Sequence, residues 1–362
     1  MKALRLVAPN ALEVREVGIP EPGAGEVLVR VAGCGVCHTD IGFWRDGVKT
    51  RQPLPLTLGH EISGTVVQAS AGHEWLNGRD VIVPAVIPCG QCELCEQGRG
   101  NICRAQLMPG NDMDGGFADF VRVPARGLCV VDQRGGYDLS ELSVIADAVT
   151  TPYQAIVRSG LRARELAIFV GVGGVGTYGV QIAAALGARV IAIDVAADRL
   201  ATMANYGAAL TIDASTLDSK AIRKQVAAAA SEWGVAGHSW KIFECSGNAK
   251  GQETAFSLLM PAATLMVIGF TLARTELRLS NLMALDATVQ GTWGCKPELY
   301  PEALRLVTTH AITLAPFIER FALADAPTVL ERVAEHQIKQ RAILEPNARP
   351  RTAAQAAQYL TT

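Results

Sequence analysis

Apolar spacing divides the chain into three textures. From residue 1 to about 145 short runs alternate apolar and polar positions, as in LVRVA (28–32) after the turn PEPGAGE, and such period-two spacing predicts half-buried strands. EISGTVVQAS (61–70), RDVIVPAVIP (79–88) and GFADFVRVPARGLCVVD (116–132) read as further strands, and MKALRLVAPNALEVREVGIP at the start as an edge-forming one. From Leu166 the apolar runs become continuous and alternate with helical spacing. LAIFVG (166–171), ARVIAID (188–194) and AALTID (208–213) read as strands, GGVGTYGVQIAAALG (173–187) and ADRLATMANYG (197–207) as helices, and KIFECSG (241–247) and ATLMVIGF (263–270) continue the series. That alternation specifies a parallel sheet with helices on both faces. Near Gln290 the texture changes again: strand TVQGTWGC (288–295), helix PELYPEALRLVTTH (297–310), and helix ADAPTVLERVAEHQIKQ (324–340) feeding strand RAILEP (341–346). The expected fold is α/β: a β-rich domain over 1–149, a doubly wound parallel-sheet domain over 150–290, and a return to the first domain over 291–362. The tail ARPRTAAQAAQYLTT (348–362) allows a short helix.

Length and composition fit this division. A chain of 362 residues makes about two domains, and 49% hydrophobic residues fill a core in each. The 33 basic and 35 acidic residues nearly balance, which argues against nucleic acid or an anionic membrane surface as partner and for a small molecule. The most apolar stretch, LAIFVGVGGVGTYGVQIAAALG, is interrupted by glycines at turn positions, so no membrane span is expected, and no export signal is visible. Nine cysteines, five of them in metal-like spacing, then read as reduced thiolates in the cytoplasm.

The chemistry concentrates between Gly33 and Gly64. GCGVCHTD offers the Cys37 thiolate and GHEISG the His60 imidazole and Glu61 carboxylate, a mixed soft and hard set suited to zinc with one position left open. A third firm ligand is needed. Asp147 in SVIADAVTTPY is the candidate, because a carboxylate inside an apolar run is costly to bury without a cation; capping a helix is the competing role. Cys34 and Cys37 alone form a C-x-x-C that also fits a redox pair, but a dithiol site would not require the neighbouring imidazoles and carboxylate. Cys89, Cys92, Cys95 and Cys103 follow C-x2-C-x2-C-x7-C, which closes a tetrahedron around a structural zinc in the lobe 89–103; an iron–sulfur cluster and disulfides are the alternatives. Two zinc ions per chain, one catalytic and one structural, are therefore expected. In GVGGVG, Gly171, Gly173 and Gly176 form G-x-G-x-x-G between a strand and a helix, with Asp194 ending the next strand. That carboxylate would accept ribose hydroxyls and repel a 2′-phosphate, which favours NAD over NADP.

On these residues the chain resembles, over almost its whole length, the zinc-dependent alcohol dehydrogenases of the medium-chain dehydrogenase/reductase superfamily. The resemblance implies a GroES-like catalytic domain beside a Rossmann coenzyme domain, and reversible oxidation of an alcohol to a ketone. It places Cys37, His60 and Asp147 as catalytic zinc ligands, Glu61 as the carboxylate behind the metal, and Thr39 as the hydroxyl that takes the substrate proton. The implied cofactor-binding set joins Gly171, Gly173, Gly174, Val175, Gly176 and Asp194 to Arg199 along the adenine, Thr151 near the nicotinamide, His38, and Arg341 on the pyrophosphate. For Arg341 a solvated strand-end charge is the competing role. Two departures stand out. Gly42 replaces a histidine that many members use to pass the proton to solvent, leaving His38 or water, and Asp147 stands where many members carry cysteine. Phe43, Trp44, Phe117 and Trp293 line a substrate cleft or fill the core. Whole segments, among them GRGNICRAQLMPGND and KIFECSG, resemble a group that oxidises a ring hydroxyl beside a CoA thioester in benzoyl-CoA breakdown, with Arg45, Lys49, Arg51 or Arg104 meeting the CoA phosphates. A general secondary alcohol dehydrogenase is the alternative. The resemblance also implies a homodimer or homotetramer.

Overall fold

The computed structural model describes residues 1–346, so the expected tail helix lies outside the described residues. The chain forms two compact units: Met1–Asp147 with Gly294–Thr309 and the segment from Leu314, and Ala148–Trp293 with His310–Thr313.

The first unit opens with β1 (Lys2–Ala8), β2 (Ala11–Glu16), β3 (Glu26–Gly35), α1 (His38–Trp44), β4 (Leu56–Thr57), β5 (Glu61–Ala69), β6 (Asp80–Val83), α2 (Glu93–Glu96), β7 (Phe120–Pro124) and β8 (Cys129–Val130). The amino terminus is a hairpin and not the single edge-forming strand expected from alternation. Pro9 has no N–H to donate and Asn10 adopts φ 62°, so the chain reverses there and β1 becomes the middle strand between β2 and β4. The expected strand at 79–88 stops at Val83 for the same reason, since Pro84 follows.

The second unit begins with α3 (Thr150–Ser159) and then alternates β9 (Leu166–Val170), α4 (Gly176–Ala185), β10 (Arg189–Asp194), α5 (Ala197–Asn205), β11 (Leu210–Asp213), α6 (Ser219–Glu232), β12 (Lys241–Glu244), α7 (Ala249–Ser257), β13 (Thr264–Val267), α8 (Ser280–Leu285) and β14 (Thr288–Gly291). Its six strands are parallel in the order β11-β10-β9-β12-β13-β14. All five residues of β9 are buried, as befits a central strand covered on both faces. Among the described residues no helix is long and apolar enough to cross a membrane.

The chain then returns to the first unit through α9 (Tyr300–Thr308), β15 (Ile318–Ala322), α10 (Ala326–Ala334) and β16 (Arg341–Glu345). The helix expected over 324–340 ends early, and His336 sits at φ 57° beyond it. The large sheet has the order β15-β16-β3-β5-β6-β8, with β7 also pairing β3. Strand β3 is therefore held by β5 and β7 along its length and by β16 at its end, where Ile343 faces Gly35. Within this unit the buried Tyr300 hydroxyl donates to Ala146 O and accepts from Ala85 N at 3.1 Å, tying the returning helix to the segment before Asp147. Replacing Tyr300 by Phe leaves both backbone groups without that partner. The expected loss is about 1–3 kcal/mol of unfolding free energy, to be read from urea titration.

Candidate metal centres and dinucleotide turn

One strand pairing and one 3-10 segment bring the ligand candidates together. Cys37 follows β3 and caps α1 in an extended conformation, φ −105° and ψ 155°. Opposite it, Glu61 begins β5 and pairs with Gly35, which places His60 and Glu61 beside the end of β3. A Cβ at position 35 would lie 2.0 Å from the Glu61 Oε2 atom, so only glycine leaves room for that carboxylate. Asp147 follows the 3-10 segment Glu141–Ala146, at φ −141° and ψ −56°. Its Oδ2 lies 3.8 Å from Cys37 Sγ and 3.7 Å from His60 Nε2. One ligand atom from each of Cys37, His60, Glu61 and Asp147 falls within 4.8 Å of the others. Cys34 does not join them. Burial pushes its thiol well above the ordinary range, and its Sγ faces Gly35 O at 3.8 Å, an inert core position.

Asp40 organises this cluster, a role the sequence reading did not assign. Its buried carboxylate accepts from the Cys37 N–H at 2.9 Å and the Gly59 N–H at 3.1 Å, and Oδ1 stands 3.4 Å from His60 Nδ1. Such a partner fixes which ring nitrogen faces the metal. An acidic residue three positions into a helix reaching back to the cap N–H is a readable capping pattern; only the folded chain shows that the same group also meets His60. Burial opposes charge on His60, but the Asp40 carboxylate, followed by contacts to Asp147, Asp40 and Cys37, outweighs it, and the imidazole pKa lies well above its ordinary value.

Glu61 has no exposed surface, and neither carboxylate oxygen makes a hydrogen bond. Burial pushes its pKa up to about 7 against the pull of Arg341, whose Nη2 lies 3.1 Å from Oε1. Arg341 also donates to Val36 O at 3.1 Å and is 8% exposed, which removes the solvated strand-end alternative. A buried imidazole, a thiol and two carboxylates facing one point, with the Glu61 oxygens short of donors, fit a divalent cation with mixed ligands. Thr39 Oγ1 lies 3.6 Å from Cys37 Sγ, at the same face. His38 is exposed and its ring stacks on that of His336, centroids 5.6 Å apart.

The four lobe cysteines also converge. Cys92 Sγ is 3.5 Å from Cys95 Sγ and 3.6 Å from Cys103 Sγ, and Cys89 Sγ is 3.9 Å from Cys95 Sγ. All four ligand positions would be taken by protein, the arrangement of a structural site. The Gln91 backbone and Cys103 draw the Cys89 thiol down to about 6, whereas burial holds that of Cys95 up at about 11.

In the second unit Gly171 adopts φ 87°, and a Cβ there would meet Ser246 Cα at 2.5 Å. Gly173 has only Arg199 within 4 Å of its would-be Cβ, so the turn formed with Gly174 and Val175 stays open to a ligand. A Cβ on Gly176 would strike Gly171 O at 2.0 Å, the close strand–helix approach that the third glycine permits. No side chain caps the start of α4, so no side chain competes with an anion there, although the Thr177 N–H already donates to Gly173 O at 3.0 Å. Asp194 is 7% exposed and accepts from the N–H groups of Val172 (2.7 Å), Val195 (2.8 Å) and Ala196 (3.0 Å), which aim the carboxylate. Arg199 Nη1 lies 3.9 Å from Asp194 Oδ1, and Thr151 is buried in the first turn of α3. These groups together fit a dinucleotide.

The aromatic candidates separate. Phe43, Trp44 and Phe117 belong to the core of the first unit, while Trp293 in the second unit is 45% exposed. Of the basic candidates, Arg45, Lys49, Arg51 and Arg104 are all exposed; Arg51 pairs with Asp112 at 3.2 Å, and the Arg45 guanidinium lies over the Trp44 ring.

Known proteins match over most of the chain. Residues 23–133 match the alcohol dehydrogenase GroES-like domain, and residues 174–309 the zinc-binding dehydrogenase domain. An alcohol dehydrogenase of Geobacillus stearothermophilus is 30% identical over 93% of this chain and 96% of its own. Galactitol-1-phosphate dehydrogenase of Escherichia coli shares the fold with a TM-score of 0.86 at 24% identity, over 96% of this chain and 100% of that one. A putative zinc-binding dehydrogenase of Sinorhizobium meliloti 1021, bound to NADP, superposes with a TM-score of 0.83 at 29% identity, over 95% and 99% of the two chains.

Three outcomes test the metal assignment. Metal analysis is expected to find two zinc ions per chain, one after Cys37→Ser, and one after Cys92→Ser, with the thermal midpoint falling more in the second variant because the lobe loses its clip. Asp40→Asn is expected to weaken binding at the mixed site roughly 10–100-fold in a chelator competition. Because an ion there must displace the proton that Asp40 and Asp147 favour on His60, retention at that site is expected to fall as pH is lowered.

Proposed function

The chain belongs to the zinc-type alcohol dehydrogenase family, oxidoreductases acting on CH–OH groups, and from that premise we propose that it oxidises a secondary, ring-borne alcohol to a ketone with NAD as hydride acceptor. The convergence of Cys37, His60 and Asp147 on one point carries this reading. When bound, zinc on those ligands would supply Lewis acidity toward the alcohol, and NAD at the Gly171 turn the acceptor for the carbinol hydride. The protein does the remaining work. Asp40 orients His60, Glu61 and Arg341 place an opposite-charge pair behind the site, and Thr39 takes up the alcohol proton. With Gly42 offering no imidazole, that proton passes to solvent at the exposed His38 or through water.

Asp194 supports NAD over NADP, because a 2′-phosphate would approach a carboxylate already fixed by three N–H groups. The finer substrate reading is 6-hydroxycyclohex-1-ene-1-carbonyl-CoA, oxidised to the 6-oxo ester. The segment resemblance supports it, and the exposed Arg45, Lys49 and Arg104 offer cations for CoA phosphates. A general cyclic alcohol dehydrogenase without a CoA requirement is the alternative. The exposed apolar side chains of Phe270, Leu272, Leu279, Met283 and Trp293 support assembly as a homodimer or homotetramer. Free cysteines throughout support a reducing, cytoplasmic setting.

NAD reduction on a panel of free cyclic alcohols and hydroxyacyl-CoA esters is the test. The CoA ester is expected to exceed simple cyclohexanols by at least about tenfold in kcat/KM, and NADP to fall below NAD by a similar factor. Equal rates across the panel favour the general enzyme. Cys37→Ala is expected to abolish turnover while coenzyme still binds; full activity in that variant would overturn the zinc mechanism.

A further inference from the structure

The parallel sheet reverses its winding at β9. From β9 the chain moves outward through β10 and β11, then returns to lay β12, β13 and β14 on the other side. Dinucleotides bind beyond the carboxyl ends of the strands at such a reversal, with the pyrophosphate on the first helix N-terminus. Since Asp194 at the end of β10 takes the adenosine ribose in the reading above, the nicotinamide half belongs to the β12 side.

Glu244 is the last residue of β12 and has no exposed surface. Its Oε1 accepts from Ser246 N at 2.7 Å, Ser246 Oγ at 2.5 Å and Gly247 N at 3.2 Å, while the buried Oε2 makes no hydrogen bond. Two neighbouring turns close around this carboxylate. A Cβ on Gly269 would lie 2.9 Å from Oε2, and the Ser246 backbone abuts Gly171 of the coenzyme turn. Burial favours the protonated form, and the groups of Ser246, Gly247 and Gly269 favour the ionised one. These contacts fix the carboxylate at the carboxyl end of β12, beside the turn that carries Gly171 and on the opposite side of the reversal from Asp194.

The two redox states of the coenzyme differ in one respect that such a charge senses: the oxidised ring is cationic and the reduced ring neutral. We propose that Glu244 is a specificity-determining residue that favours oxidised over reduced coenzyme by holding a buried carboxylate on the nicotinamide side of the winding reversal. The inference rests on the coenzyme reading above and concerns a residue outside the zinc chemistry.

Calorimetric titration of the zinc-loaded full chain with NAD, NADH and ADP-ribose tests it. If the unaltered protein does not bind ADP-ribose, the coenzyme reading itself fails. With that binding in place, Glu244→Gln is expected to keep ADP-ribose affinity and to raise the ratio Kd(NAD)/Kd(NADH) roughly tenfold, while Glu244→Asp, which keeps the charge, leaves the ratio near its original value. An unchanged ratio in Glu244→Gln, or an equal loss for all three ligands, would show that the carboxylate only builds the turn. If Glu244→Gln does not fold, Glu244→Met is measured in its place. Loss of ADP-ribose binding in both uncharged variants overturns the proposal in the same way.

Discussion

The first unit is organised by the cost of burying like charges together. Asp40 and Glu61 have no exposed surface, the Asp147 side chain is only 16% exposed, and all three surround His60 within reach of the Cys37 sulfur. Carboxylates crowded in a low-dielectric interior repel one another and lose their hydration, so the arrangement persists only where positive charge enters. Arg341 supplies part of it from behind Glu61, and a divalent ion on the ligand face would supply the rest. Stability and chemistry are thus set by the same electrostatic demand.

Strand pairing meets that demand economically. Strand β3 ends at Gly35, beside Glu61 of β5 on one side and Ile343 of β16 on the other, so one strand end receives the metal-side carboxylate and its arginine counter-charge. Val36 N donates to Ala342 O at 2.8 Å and Arg341 reaches Val36 O, fixing the returning segment in that register. A slip of one residue would turn Arg341 to the opposite face and leave Glu61 buried without its cation. The carboxyl-terminal third of the chain therefore completes a site whose ligands all precede residue 148.

The second unit uses the same economy with backbone in place of side chains. Close approaches at Gly171 and Gly176 pack the turn against its neighbours, and Gly173 leaves its outer side open to a ligand's phosphates. Buried acids then mark each side of the winding reversal, Asp194 held by three N–H groups and Glu244 by donors on one oxygen only.

Local patterns determined much of this protein. Continuous apolar runs bounded by helical spacing specify the parallel sheet, because strands buried on both faces have no polar alternation to show. Two-residue gaps between cysteines specify the lobe, because neighbouring thiolates can point at one centre without help from the rest of the chain. What the tertiary structure alone decided involves partners far apart in sequence or turns governed by single residues. Pro9 and Asn10 turned one expected strand into a hairpin, Phe43, Trp44 and Phe117 went to the core, and Cys34 was buried with its thiol pKa pushed up. Asp40 beside His60 and Arg341 against Glu61 leave no periodic trace, since a contact across 20 or 280 residues depends on which strands pair and in what register, and spacing along the chain encodes neither.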